Sequence, residues 1–65
     1  MNFTYDKEAD AAYIYFEAED KKVKATQGEW PFHVDLNEAG EVVGLEIMDA
    51  STVLNQAYIN KRIQQ

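Results

Sequence analysis

His33 is the single histidine of the chain, and Asp35 follows two residues later, so acid–base chemistry is the first reading to weigh. An imidazole serves as a general base when a carboxylate orients it and a nucleophile or substrate lies within reach. Asp35 would share the strand face of His33, with Cβ atoms roughly 7 Å apart. Glu46, on the facing strand, is a second candidate carboxylate. A histidine with one carboxylate on an open sheet reads as a surface pair, so no catalytic residue is assigned. The segment from Asp35 to Glu46 also places Asp35, Asn37, Gly40 and Glu46 at the first, third, sixth and twelfth positions of a calcium loop. Its fifth position is Ala39, which offers no side-chain oxygen, and its flanks alternate with period two where that loop requires helices. No metal is expected. Asp6 with Asp10, and Glu17 with Glu19, are carboxylate pairs with nothing around them to separate their pKa values. Gly28, Gly40 and Gly44 are isolated, so no glycine-rich phosphate loop exists and no cofactor is expected.

The elements that would position these residues are mostly strands. Asn2 to Tyr5 alternates polar and aromatic residues, and charged Asp6 to Asp10 interrupts it as a loop or helical turn. Ala12 to Ala18 is rich in β-formers, with Ala12, Ile14 and Phe16 on one face and Tyr13, Tyr15 and Glu17 on the other. Glu19 to Lys22 is a turn, and Val23 to Gln27 a polar edge strand that Gly28 ends. Pro31 belongs at the start of the next strand. From Trp30 to Leu36 the alternation sets Trp30, Phe32, Val34 and Leu36 against His33 and Asp35. Asn37-Glu38-Ala39-Gly40 fits a type I turn with glycine at positive φ. Glu41 to Met48 returns, with Val43, Leu45 and Ile47 on one face and Val42, Gly44, Glu46 and Met48 on the other. Asp49 or Ser51 then caps a helix that runs on without Gly or Pro, with Lys61 and Arg62 in its last turns. Val53, Leu54, Ala57 and Tyr58 form one apolar stripe of it, and Ile59 and Ile63 lie on another side.

The expected fold is therefore α+β: a small antiparallel β-sheet of four to five strands, meander-like, with a C-terminal α-helix packed on one face. Residues 1–65 make one domain, the sheet over about 2–48 and the helix over about 50–64. A chain this short buries about 60% of its unfolded surface, and such chains often gain stability from disulfides, metals or oligomerisation. The sequence has no cysteine, which leaves oligomerisation. All twelve Asp and Glu precede Ala50, against Lys7, Lys21, Lys22 and Lys24 in the same stretch. That surface repels phosphate backbones, so nucleic acid is not an expected partner, while a basic protein is a candidate one. The N-terminus shows neither a basic nor an apolar targeting region, and the longest apolar run, Ala11 to Phe16, falls short of the roughly 20 residues a span needs. A cytoplasmic protein without membrane contact is expected.

Tyr5-Asp6-Lys7-Glu8-Ala9-Asp10-Ala11-Ala12-Tyr13-Ile14 resembles the opening "YD-x-EADALYI" pattern of a family of small bacterial proteins, domain-of-unknown-function family 2283. Val34 to Ser51 resembles the same family's "DxDxxGxVVGIEILDAS" signature, and Glu19 to Gly28 matches nothing distinctive. The likeness spans about residues 3–54, with Ala12 and Met48 as mild departures. It implies a compact β-rich domain with no assigned activity, so it carries over no catalytic residues. Some members lie beside small toxin-like genes, which implies an antitoxin-like binder as one alternative.

These readings converge on a non-enzymatic interaction domain that self-associates, with a dimer favoured. Tyr13, Tyr15, His33, Val42 and Met48 on the outer sheet face, with Ile59 and Ile63 on the second helix stripe, are the candidate interface. The alternatives are an antitoxin-like partner of a small basic toxin or nuclease, and a small enzyme using His33 with Asp35 or Glu46.

Overall fold

A computed structural model describes residues 2–54, and within them the chain forms five strands and one short helix of four residues. The strands are β1 (Asn2–Asp6), β2 (Ala11–Tyr15), β3 (Ala25–Gln27), β4 (Phe32–Leu36) and β5 (Val42–Ile47), followed by α1 (Ala50–Val53). They form one sheet in the order β1-β2-β5-β4-β3, with every neighbouring pair antiparallel. The sheet therefore joins two local pieces, the β1–β2 hairpin and the β3-β4-β5 meander, through the pairing of β2 with β5. The expected α+β class holds. The expected helix over about 50–64 is seen as α1 alone, which ends at Val53 with Leu54 in extended backbone; the part beyond Leu54, including Ile59 and Ile63, lies outside the described residues.

Register fixes which side chains share a face, because successive residues of a strand point to opposite sides. Tyr5 pairs with Ala12, Ala12 with Ile47, and Ile47 with Phe32. One layer further along, Phe3 pairs with Ile14, Ile14 with Leu45, and Leu45 with Val34. This apolar face receives α1, whose Ala50 is fully buried against Ala12 and Ile47. Phe3, Tyr5, Ile14, Leu45, Val53 and Leu54 pack around that centre. The opposite face carries Tyr13, Tyr15, His33, Asp35, Gly44 and Glu46.

Two turns hold these layers in register. In the β4–β5 hairpin the Gly40 amide donates to the Asn37 carbonyl at 3.0 Å, and Gly40 has φ of +84°. Asn37 is 3% exposed and satisfies itself completely. Its Oδ1 accepts the amides of Ala39 and Glu41, and its Nδ2 donates to Glu41 Oε1 and the Asp20 carbonyl. The spacing that suggested a calcium loop is thus an asparagine-centred turn. In the β1–β2 hairpin, Asp6 Oδ1 accepts the amides of Glu8 and Ala9, as an Asx turn does.

The structure departs from the sequence reading in several places. The second strand ends at Tyr15 and not Ala18, and Phe16 lies beside Tyr13 and Tyr15. Trp30 does not begin a strand: a cis Trp30–Pro31 bond precedes β4, and Trp30 stands 63% exposed with Nε1 donating to Asp49 Oδ2 at 3.0 Å. The register of β4 and β5 slips between Asp35 and Leu36, so Leu36 opposes Val42. A slip of one residue exchanges faces, placing Val42 on the side of Phe32 and Val34. Val43 instead lies buried beside Tyr13 and Tyr15. Finally, neither Asp49 nor Ser51 caps the helix by its side chain. Asp49 sits at φ +48° with its carboxylate on Trp30, and the first helical amides are taken by Asp10.

Candidate functional site

Asp10 closes the hairpin turn onto α1. Its carbonyl accepts the Ala50 amide at 2.9 Å, Oδ1 accepts the Ser51 amide at 2.9 Å, and Oδ2 accepts the Ser51 hydroxyl at 2.7 Å. Tyr5 donates its phenol to Oδ1 at 2.6 Å. The Tyr5 phenol, then the Ser51 hydroxyl and amide, hold the Asp10 carboxyl below its ordinary pKa. The same bond raises the pKa of Tyr5. These groups are saturated by one another, which marks the cluster as a structural clamp.

The chemistry-bearing residues gather on the opposite face, across four adjacent strands. Tyr13 opposes Glu46 on β5, which opposes His33 on β4. Tyr15 opposes Gly44, which opposes Asp35, which opposes Thr26 on the β3 edge. Gly44 lets the Tyr13 ring lie across β5, since a Cβ there would collide with the edge of that ring and its hydroxyl. The Tyr13 phenol then donates to Asp35 Oδ2, and Thr26 Oγ1 donates to Asp35 Oδ1 at 2.6 Å. Burial, then the Asp35 hydrogen bond and charge, pushes the Tyr13 phenol well above its ordinary pKa. Tyr15 leans on Tyr13 with ring centroids 4.5 Å apart and planes tilted by 52°.

Of the two carboxylates considered for His33, Glu46 is the one that faces it, with Oε1 3.7 Å from Nδ1. That is an ion-pair distance and too long for a hydrogen bond. Asp35 is engaged by Tyr13 and Thr26 instead. Among the described residues no three His, Asp or Glu side chains converge as a metal-ligand set, and no helix is long and apolar enough to cross a membrane.

A cavity of about 240 Å³ opens beside the tyrosines. Tyr13, Tyr15, Phe16, Val23 and Val43 wall it, and Glu17 and Lys21 also line it. Its cover comes from the segment joining β2 to β3, which crosses the end of the sheet. That segment is held by Phe16 N to Val43 O, Asn37 Nδ2 to Asp20 O and Lys24 N to Leu36 O.

Of the candidate interface residues, Tyr13, Tyr15 and His33 share this face as expected. Val42 stands on the other face. Met48 follows β5, half-buried, with its amide bonded to the Pro31 carbonyl. Ile59 and Ile63 lie outside the described residues. Asp10, Thr26 and Asp35 were missed as linked groups. Gly44, a residue without a side chain between a tyrosine strand and an aspartate strand, was the signal available for the Tyr13–Asp35 bond.

A family model described as "Protein of unknown function (DUF2283)" matches residues 2–51. No curated protein and no solved structure matches the chain.

Proposed function

We propose, for a chain that belongs to the DUF2283 family of proteins of unknown function, that it is a non-enzymatic interaction domain that self-associates as a dimer. The observation that carries this reading is an inversion of size between core and surface. Among the described residues the buried apolar side chains are Ala12, Ala18, Val43, Ile47 and Ala50, three of them alanine. Trp30, Phe32, Val42, Tyr15 and Val23 stand exposed. Small side chains at the centre and large ones left exposed leave apolar area that a second copy could cover.

The favoured surface is the β4 half of the helix-bearing face. Phe32, Val34 and Leu36 run along β4, with Val42 opposite Leu36 and Ala25 and Gln27 beside them on β3. None of these is charged, so two copies can meet there about a two-fold axis without bringing acids together. The tyrosine face, by contrast, carries Asp35 and Glu46. Phe32 is 45% exposed, and at roughly 25 cal/mol per Å² covering such a half-exposed aromatic ring is worth about 2 kcal/mol per copy.

Light scattering of the full chain at tens of micromolar tests the reading. The expected result is a dimer that Phe32→Glu dissociates and Tyr15→Glu, on the opposite face, leaves intact. A strict monomer of the native chain at that concentration overturns it. Any cellular partner beyond a second copy belongs to a pull-down from the native host, where a reproducible small basic protein would favour the antitoxin-like alternative.

A further inference from the structure

We propose that the cavity beside Tyr13 and Tyr15 is a binding site for an organic cation, an alkylammonium or guanidinium head group. Three aromatic rings line it, and the negative faces of such rings attract cations. Tyr13 and Tyr15 meet at 52° with centroids 4.5 Å apart, so they form an angled wall and not a closed stack. The Tyr13 phenol donates a hydrogen bond to Asp35, which shifts electron density into that ring and strengthens its face toward a positive charge.

The surrounding charge has the same sign preference. Glu17 lines the cavity, Asp35 lies behind the Tyr13 phenol, and Glu46 opposes Tyr13 in register. The chain as a whole carries twelve acids against six basic residues, a field that concentrates cations near its clefts. Val23 and Val43 supply apolar contact for the methyl or methylene groups that such a head carries. A cavity of about 240 Å³ accommodates one trimethylammonium or guanidinium group. Lys21 is the cation among the lining residues, and its charge opposes the ligand. Its removal should therefore tighten binding, an outcome that an anion site would reverse.

The site makes no use of the Phe32 surface, so it stands apart from the self-association reading. The test is a titration of the full chain followed by the aromatic resonances of Tyr13, Tyr15 and Phe16. Choline is the probe, and 3,3-dimethyl-1-butanol is its uncharged isostere. Choline is expected to shift those resonances saturably in the millimolar range, with the isostere weaker by about fivefold or more. Lys21→Glu should tighten choline binding by roughly two- to fivefold, and Tyr15→Leu should weaken it by about fivefold or more. Equal binding of the isostere, absence of saturable shifts, or weakening by Lys21→Glu overturns the proposal. A second arm uses a neutral Gly/Ser peptide with one central arginine. Tighter binding than choline assigns the cation to a protein side chain, and weaker binding assigns it to a free small molecule. Repeating the titration on Phe32→Glu keeps the two readings distinguishable, because loss of the dimer should leave choline binding unchanged.

Discussion

Asp10 and Ser51, 41 residues apart, are joined twice: the carboxylate accepts both the amide and the hydroxyl of Ser51. Helix starts leave several amides without intrahelical partners, and a side chain just before the helix usually satisfies them. Here a residue from the first hairpin turn does so. The clamp ties the start of the chain to the element that covers the sheet.

This clamp should make stability fall in acid. The carboxyl of Asp10 has a lowered pKa in the folded protein, so the unfolded chain binds its proton first as pH drops. Its stabilising contribution is complete above the ordinary carboxylate pKa and is lost as pH falls through the depressed folded value. Urea midpoints measured from neutral pH to pH 3 should therefore drop less in Asp10→Asn than in the native chain. Parallel curves for the two would show that the clamp carries no such linkage.

At the other end of the scale, Tyr13 should give an alkaline limb. Its folded pKa is raised, so the contribution of the neutral phenol is whole below about pH 10, the ordinary tyrosine value, and is lost as pH rises through the folded one. In an ultraviolet titration the phenols of Tyr5 and Tyr13 should both ionise late, and Asp35→Ala should move that of Tyr13 earlier. An unchanged titration in that variant would separate Tyr13 from Asp35.

Asn37→Ala should destabilise the β4–β5 hairpin. The substitution strips two amides, a carbonyl and a carboxylate of their partner at a buried position. The expected loss is about 2–3 kcal/mol in chemical denaturation. A loss under about 0.5 kcal/mol, the scale of an ordinary surface change, would contradict the role given to its amide.

Gly44→Ala tests the crossing of Tyr13 over β5. The new methyl would collide with the ring, and such overpacking typically costs ~1–3 kcal/mol. In the Tyr13→Ala background the same change should cost much less, giving a clear coupling in a double-mutant cycle. Additive effects would place the ring elsewhere.

The period-two alternations of Ala12/Ile14 and Phe32/Val34/Leu36, and the turn at Asn37–Gly40, follow from local chemistry and are legible in the sequence. The exchange of Val42 and Val43 is not. It follows from a register slip opposite Asp35 and Leu36, and two adjacent valines carry no mark of which one faces the sheet's centre. The capping of α1 was legible in kind but not in source, since Asp49 and Ser51 are ordinary capping residues while Asp10 reaches the helix only through the paired strands. The Tyr13–Asp35 bond depends on the order β2-β5-β4, a non-local fact that Gly44 alone hints at.

The crossing segment between β2 and β3 is the covalent link from hairpin to meander. The ladder from Ala12 to Ile47 and the Asp10–Ser51 clamp join the same two pieces without it. A chain cut within exposed Glu19–Lys22 would therefore leave fragments with complementary faces, one holding β1 and β2 and the other everything after. Such fragments are suited to reassembly as a split pair, with the tyrosine cavity, whose wall the cut crosses, as the part left loosened.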